Sequence, residues 1–227
     1  MLDQHLDTIY TYDSRGRITG NNQFSGGEVP RFHLARSGAA NFWRLRHDVD
    51  DETAAALMRL AREEPLLLEP SAPPTHEPEY MTVLADAAPI EAVWRGPAYA
   101  FAQAPADPIE GVVHMHAGNA GLLRAYMDDW LEDVPHRRPF LAMVENGHAV
   151  AVCASVRITP TAHEAGVETA PGFRGRGHAL RVVAAWAQAV ATLGARPLYS
   201  TSWDNTASQA VAARLGLKFI GADFHVR

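Results

Sequence analysis

Apolar positions recur along this chain with two periods, and each regular stretch predicts an element. The clearest is the run that follows "PGFRGRGHAL", where Leu180, Val183, Ala184, Ala187, Val190 and Ala191 fall at i, i+3, i+4 and i+7. That spacing predicts an amphipathic helix, closed near Gly194. Upstream, "FLAMVE" and "HAVAVCASVR" flank Asn146-Gly147, the pair best suited to the positive φ angles of a type I′ turn, and predict a hairpin. "AHEAGVETA" predicts a third strand. Beyond Gly194, "RPLYSTS" reads as a short strand and "DNTASQAVAARLG" as a helix with its cap at 204–206 and Gly216 as its stop. "LKFIGADFHV" closes as a strand. Before the hairpin, "NAGLLRAYMDDWLEDV" sets Leu122, Leu123, Tyr126 and Trp130 on one helical face ended by Pro135.

The first hundred residues are less regular. "TIYTY", "RFHLAR" and "NFWRLRH" read as short strands separated by turn residues, and "DVDDETAAALMRLAREE" as a helix with cap candidates Asp48, Asp50 and Asp51 and a stop at Pro65. Residues 69–80 hold four prolines in twelve positions and predict an extended connector. One helix and one strand are expected from there to a second proline-rich patch near 105–108. That patch sets the expected boundary between an N-terminal α+β domain, 1–104, and a second domain, 105–227.

Composition narrows the function classes. With 227 residues, 47% hydrophobic, the chain can bury a full core. A formal charge of -6 argues against a nucleic-acid partner, which needs a basic face to displace counterions. One cysteine excludes an internal disulfide framework and cysteine-rich zinc modules. No apolar run approaches the roughly 20 residues that span a bilayer, and "MLDQHLDTIY" lacks the order of a signal peptide. No membrane partner and a cytoplasmic location are the expectations.

The stretch that opens the long helix carries chemistry. A glycine-rich turn at a helix start exposes N–H groups without intrahelical partners, and the helix dipole adds positive potential there. Gly175 and Gly177 allow a phosphate to approach the backbone, and Arg174 and Arg176 can add charge-assisted hydrogen bonds. A P-loop would require a Gly-Lys-Ser/Thr end, absent here. A dinucleotide fingerprint would require glycine or alanine where Leu180 stands.

The pattern Arg174-x-x-Gly177-x-Ala179, after "GVETAP" and before "WDNTASQAVAARLGL", resembles the GNAT superfamily of N-acetyltransferases over residues 110–221. The "SWDNTASQ" form is most similar to a branch that includes antibiotic self-resistance acetyltransferases. The resemblance implies an α/β (α+β) fold, a mixed, mostly antiparallel twisted sheet flanked by helices. It implies direct transfer of an acetyl group from acetyl-CoA, the co-substrate, to an amine. It assigns Arg174, Gly175, Arg176, Gly177, His178 and Ala179 to the diphosphate, Asn205 and the strand residues Val167 and Thr169 to the pantetheine arm, and Ser208 to the co-substrate. Where the family often carries a tyrosine acid toward the departing thiolate, this chain has Ala212; the nearest tyrosine in sequence is Tyr199.

Other residues stay open between two roles. An amine nucleophile must lose a proton, and Glu164 or Glu168, four apart on the same side of a strand, is the expected general base. Asp128, Asp129, Glu132 and Asp133 are read as a rim recognising a small cationic acceptor, or as a solvated face. His114 and His116 have the spacing of strand metal ligands but no third ligand, so they are read as an acceptor-site wall or an ordinary strand, with no metal. Cys153, mid-strand among small apolar residues, reads as a buried inert thiol, and Trp203 as channel lining or core. The other function classes are an acyl-CoA-binding sensor without turnover and a protein or peptide acetyltransferase. A monomer or homodimer is expected, with the N-terminal part supplying acceptor pocket or dimer surface.

Overall fold

Apolar alternation and helical stripes resolve, in the computed structural model, into sixteen regular elements over the described residues, 1–103 and 109–227. The boundary expected at 104–105 lies outside the described residues. The elements are α1 (Leu2–Ile9), β1 (Tyr10–Tyr12), β2 (Ile18–Asn21), β3 (Phe32–Arg36), β4 (Asn41–Leu45), α2 (Asp51–Glu63), α3 (Glu77–Ala87) and β5 (Val93–Ala100). They continue with β6 (Val112–His114), β7 (Phe140–Glu145), β8 (His148–Ile158), β9 (Ala162–Thr169), α4 (His178–Thr192), β10 (Arg196–Ser200), α5 (Thr206–Arg214) and β11 (Lys218–Val226). Nine strands form one sheet in the order β4-β3-β11-β5-β10-β9-β8-β7-β6, with β9 and β10 its parallel pair and the rest antiparallel. This is the expected mixed, mostly antiparallel sheet. Strands from both sides of residues 104–108 share it, since β5 lies between β10 and β11.

Alternation along the strands divides the core. Cys153 packs toward α4, while its neighbours Val152 and Ala154 pack with Leu123, Met127 and Val134. Phe224 and Val226 of β11 pack with α2 and α3 residues, and Leu198 and Ala98 pack with α1. Helices α2 to α5 therefore cover one face, and α1 with the segment 120–134 covers the other. Asn146 and Gly147 take φ of 49° and 79°, as the hairpin requires. Asp50 caps α2 by accepting from Thr53 N at 2.9 Å.

Three expectations are corrected. Residues 2–9 are a helix, because Leu2, His5, Leu6 and Ile9 fall on one buried face. Helix α3 begins inside the proline-rich connector, where Pro78 sits in the first turn and needs no N–H partner. The helix expected over 119–134 is two 3-10 turns, Ala120–Leu123 and Asp128–Asp133. Leu123, Met127 and Val134 from these turns are buried against the sheet. Asp128 and Asp129 consequently open a turn rather than oppose the end of a helix.

Beneath α1 the sheet carries buried charge. His5 Nε2 lies 2.7 Å from Asp223 Oδ2 and His5 Nδ1 3.5 Å from Glu164 Oε2, all three side chains being almost wholly buried. Burial alone would depress the imidazole, but Asp223 and Glu164 outweigh it and raise its pKa from 6.5 to about 10. Burial pushes Asp223 up, yet His5 and His33 hold it far below the usual carboxylate range.

Because His5 titrates higher folded than unfolded, its stabilisation is complete below pH 6.5 and is lost as pH climbs toward about 10. Circular-dichroism melts should show Tm falling steadily across that window, and His5→Gln should remove most of the slope. A wild-type Tm that stays level would mean that His5 is neutral.

Candidate functional site

The parallel pairing of β9 with β10 lasts three residues, Ala162, His163 and Glu164 against Arg196, Pro197 and Leu198. Past Glu164 the strands part, β9 keeping β8 and β10 keeping β5 as partner. The parting coincides with a bulge in β8, where Ser155 faces Ala165 and Arg157 faces Glu164, leaving Val156 extra. A bulge bends its strand and increases the local twist. Trp186 Nε1 donates to Ser155 Oγ at 3.0 Å, and Ser155 Oγ is 2.9 Å from His163 Nδ1, which pins the bulge from the α4 side. Gly166 faces it, and a Cβ there would collide with Val156.

The opening is a cavity of about 610 Å³ running from the fork to the start of α4. Gly175 and Gly177 take φ of 77° and 81°, left-handed values that L side chains rarely adopt. Gly177 is the N-cap and offers no side chain, so the first N–H groups of α4 face the cavity without a capping oxygen. His178 is buried beside them; its Nε2 lies 3.1 Å from Glu145 Oε1, and its Nδ1 has no hydrogen-bond partner among the described residues. Arg174 lines the cavity with its Nε on Thr169 O. Arg176 instead bonds Gly172 O and pairs with Glu145 at 3.7 Å, away from the lining.

Val167, Thr169, Ala179, Asn205 and Ser208 also line the cavity. Asn205 Oδ1 accepts from Ser208 N at 3.0 Å and so caps α5. Of the two expected bases, Glu168 lines the cavity and accepts from Trp130 Nε1 at 2.6 Å. Arg137 lies over the Trp130 ring and is itself paired with Asp133 at 2.8 Å. Glu164 shares the strand face with Glu168 but is buried, touching the cavity through Ser200, whose Oγ donates to it at 2.6 Å. Asp128, Asp129 and Glu132 are exposed outside the lining, as are His114 and His116, and Trp203 does not line it.

Sequence reading did not assign Ser200, at the end of β10, Thr201 just beyond it, Phe173 or Arg214 to the site, and named Tyr199 only as the nearest tyrosine; all five line the cavity. Tyr199 bonds Ser208 at 2.6 Å, its ring packed in the same cluster as Ala212, and burial raises its pKa to about 12. No group of His, Cys, Asp and Glu among the described residues could hold a metal ion. No described helix is long and apolar enough to cross a membrane.

The comparisons with known proteins agree with this geometry. Residues 112–217 match the sequence model of the acetyltransferase (GNAT) family. No curated protein matches the chain. Among solved structures, a GNAT-family protein from Novosphingobium aromaticivorans is similar at 19% identity and a TM-score of 0.53, over 60% of this chain and 65% of that one. The chain thus spans a little under two thirds of that relative's length. A GNAT-family acetyltransferase from Colwellia psychrerythraea is similar at 15% identity and a TM-score of 0.50, over 82% of this chain and 76% of the other. At these identities the likeness is one of fold.

Cys153 lies wholly inside the α4 core, and burial pushes its thiol up. Native protein should therefore release no colour from a disulfide reagent until denaturant is added, when one thiol per chain should react. Rapid native reaction would contradict the packing.

Proposed function

We propose, from a GNAT acetyltransferase domain at residues 112–217 and the cavity at the fork of β9 and β10, that the chain transfers an acetyl group from acetyl-CoA to a primary amine by direct attack. The observation that carries this reading is the continuity of the cavity from the uncapped N-terminus of α4 to the unpaired edge of β9. A diphosphate suits the first, since free N–H groups, Arg174 and the helix dipole all favour anions. An extended amide-bearing arm suits the second, where β9 has lost its strand partner. The thioester then lies beside Glu168.

Glu168 is the general base of this reading. It takes a proton from the acceptor's ammonium, the free amine attacks the thioester carbonyl, and backbone groups at the fork stabilise the oxyanion. The tetrahedral adduct gives up the second proton of its nitrogen to solvent and collapses with loss of the thiolate. A thiol with a pKa of about 8.5 leaves readily, so water suffices as its proton source despite Ala212. A small cationic acceptor agrees with the -6 charge and with a carboxylate on the cavity wall.

Thiol release from acetyl-CoA should be seen with at least one member of a panel of amines, aminoglycosides, amino acids and peptides. Binding without turnover across the panel would favour a sensor. Gly177→Asp brings a carboxylate to the anion site at a φ of 81° that strains any L residue; calorimetry should show acetyl-CoA affinity lost, and Gly177→Ala, equally strained but uncharged, should lose less. Glu168→Gln should lower kcat by about 10²- to 10⁴-fold with acetyl-CoA binding retained. Its activity should recover only as the amine deprotonates unaided, toward about pH 10. A Glu168→Gln enzyme with wild-type kcat and pH profile would remove Glu168 from the mechanism.

A further inference from the structure

The charged cluster under α1 is longer than an ion pair. Tyr10 Oη lies 2.8 Å from His33 Nδ1, His33 Nε2 is 3.2 Å from Asp223 Oδ1, and Asp223 Oδ2 is 2.7 Å from His5 Nε2. His5 Nδ1 then faces Glu164 Oε2 at 3.5 Å, and Glu164 Oε1 accepts from Ser200 Oγ at 2.6 Å. Five elements, α1, β1, β3, β11 and β9, converge on a hydroxyl at the end of β10. Among these groups Ser200 alone lines the cavity.

The donors and acceptors can be assigned from one end. Carboxylates only accept, so the Ser200 proton points at Glu164 and the His5 Nε2 proton at Asp223, while His5 Nδ1 with Glu164 Oε2 and His33 Nε2 with Asp223 Oδ1 are close charge contacts short of hydrogen-bond geometry. His225, stacked on Trp94, is kept neutral by burial, and Arg157, opposite Glu164 in the sheet, bonds Asn21 and brings a further positive charge to the cluster's edge. A buried cluster of ionisable groups that ends on a cavity wall is costly to retain and tends to mark functional sites. With its proton committed to Glu164, Ser200 offers the cavity only lone pairs, made more electron-rich by the carboxylate behind them.

We propose that Ser200 is a binding residue of the cavity, held by Glu164, His5 and Asp223 as a hydrogen-bond acceptor for an N–H donor of the bound molecule. Glu164 is then a positioning residue and not the base. The inference rests on the functional reading only for which molecule supplies the N–H. Under that reading the sources are an amide of the co-substrate's arm and the acceptor amine, and the two arms of the test separate them.

The probes are pantetheine, which carries amide N–H groups, and methylammonium, each titrated into the full chain while the Ser200 and Thr201 amide signals are followed by NMR. One of them should shift these signals in the wild type. Ser200→Ala should weaken that probe by about tenfold or more, as expected for a lost hydrogen bond to a charge-backed group, and Ser200→Thr should restore it. Glu164→Gln should weaken it too although the hydroxyl remains, because an amide can donate to Ser200 and turn its proton into the cavity. A merely structural Glu164 would lower Tm and leave probe affinity unchanged. Histidine ring ¹⁵N shifts should show His5 doubly protonated at pH 8. The proposal is overturned if neither probe reaches Ser200, if Ser200→Ala binds like wild type, or if His5 is neutral. Thiol release reports separately on the functional reading. Turnover with a silent Ser200 would sink the inference alone, and binding at Ser200 without turnover on any amine would sink the reading alone.

Discussion

Val156 is an extra residue in β8, and the pair at which β9 leaves β10 adjoins it. The rest of the site is built outward from that departure. The open edge of β9 exists because the bulge and the Trp186–Ser155–His163 bonds bend the sheet at this place. Gly166 lets Val156 pack against β9, and Trp130 closes over the same spot to reach Glu168. The left-handed glycines before α4 lie at the other end of the cavity and leave the helix uncapped. A fork without them would be a hole in a sheet. Together they make one groove with an anion-favouring end and a carboxylate wall.

Where a few neighbouring residues decide the structure, the sequence is readable. Asn146-Gly147 dictates a turn through φ alone, the stripe from Leu180 to Ala191 dictates α4, and the glycine turn dictates its uncapped start. Most expected co-substrate residues line the cavity, Arg176 being drawn aside by Glu145. Tertiary packing overrode local pattern elsewhere. The stripe Leu122, Leu123, Tyr126 and Trp130 has helical spacing, and so do the buried Leu123, Met127 and Val134, so periodicity alone did not distinguish two 3-10 turns from one helix. Helix α1 showed its spacing, but Met1 provides no capping side chain and Thr8 and Ile9 favour strand. Glu164 and Glu168 look equivalent in sequence; only the fold puts one on the cavity and the other behind Ser200.

The charges under α1 were out of reach for a simpler reason. His5 and Asp223 are 218 positions apart, and nothing local to either announces the other. Ion pairs of this kind contribute little net stability compared with apolar residues of the same volume, and removing one partner is costly because the other remains buried. The N-terminal helix is therefore tied electrostatically to a wall of the cavity. Residues outside the matched segment 112–217 set the hydrogen-bonding character of Ser200 inside it.

The position of β11 bears on the order in which the molecule can assemble. It pairs with β3 on one edge and β5 on the other, so the two early strands meet only through a strand that follows them by more than a hundred residues. During synthesis both expose unpaired backbone edges until residues 218–226 have left the ribosome. Such long-range closure folds slowly and leaves nascent chains open to aggregation. The protein thus depends on its translation being finished before its sheet is, and the early half is the natural client for a chaperone.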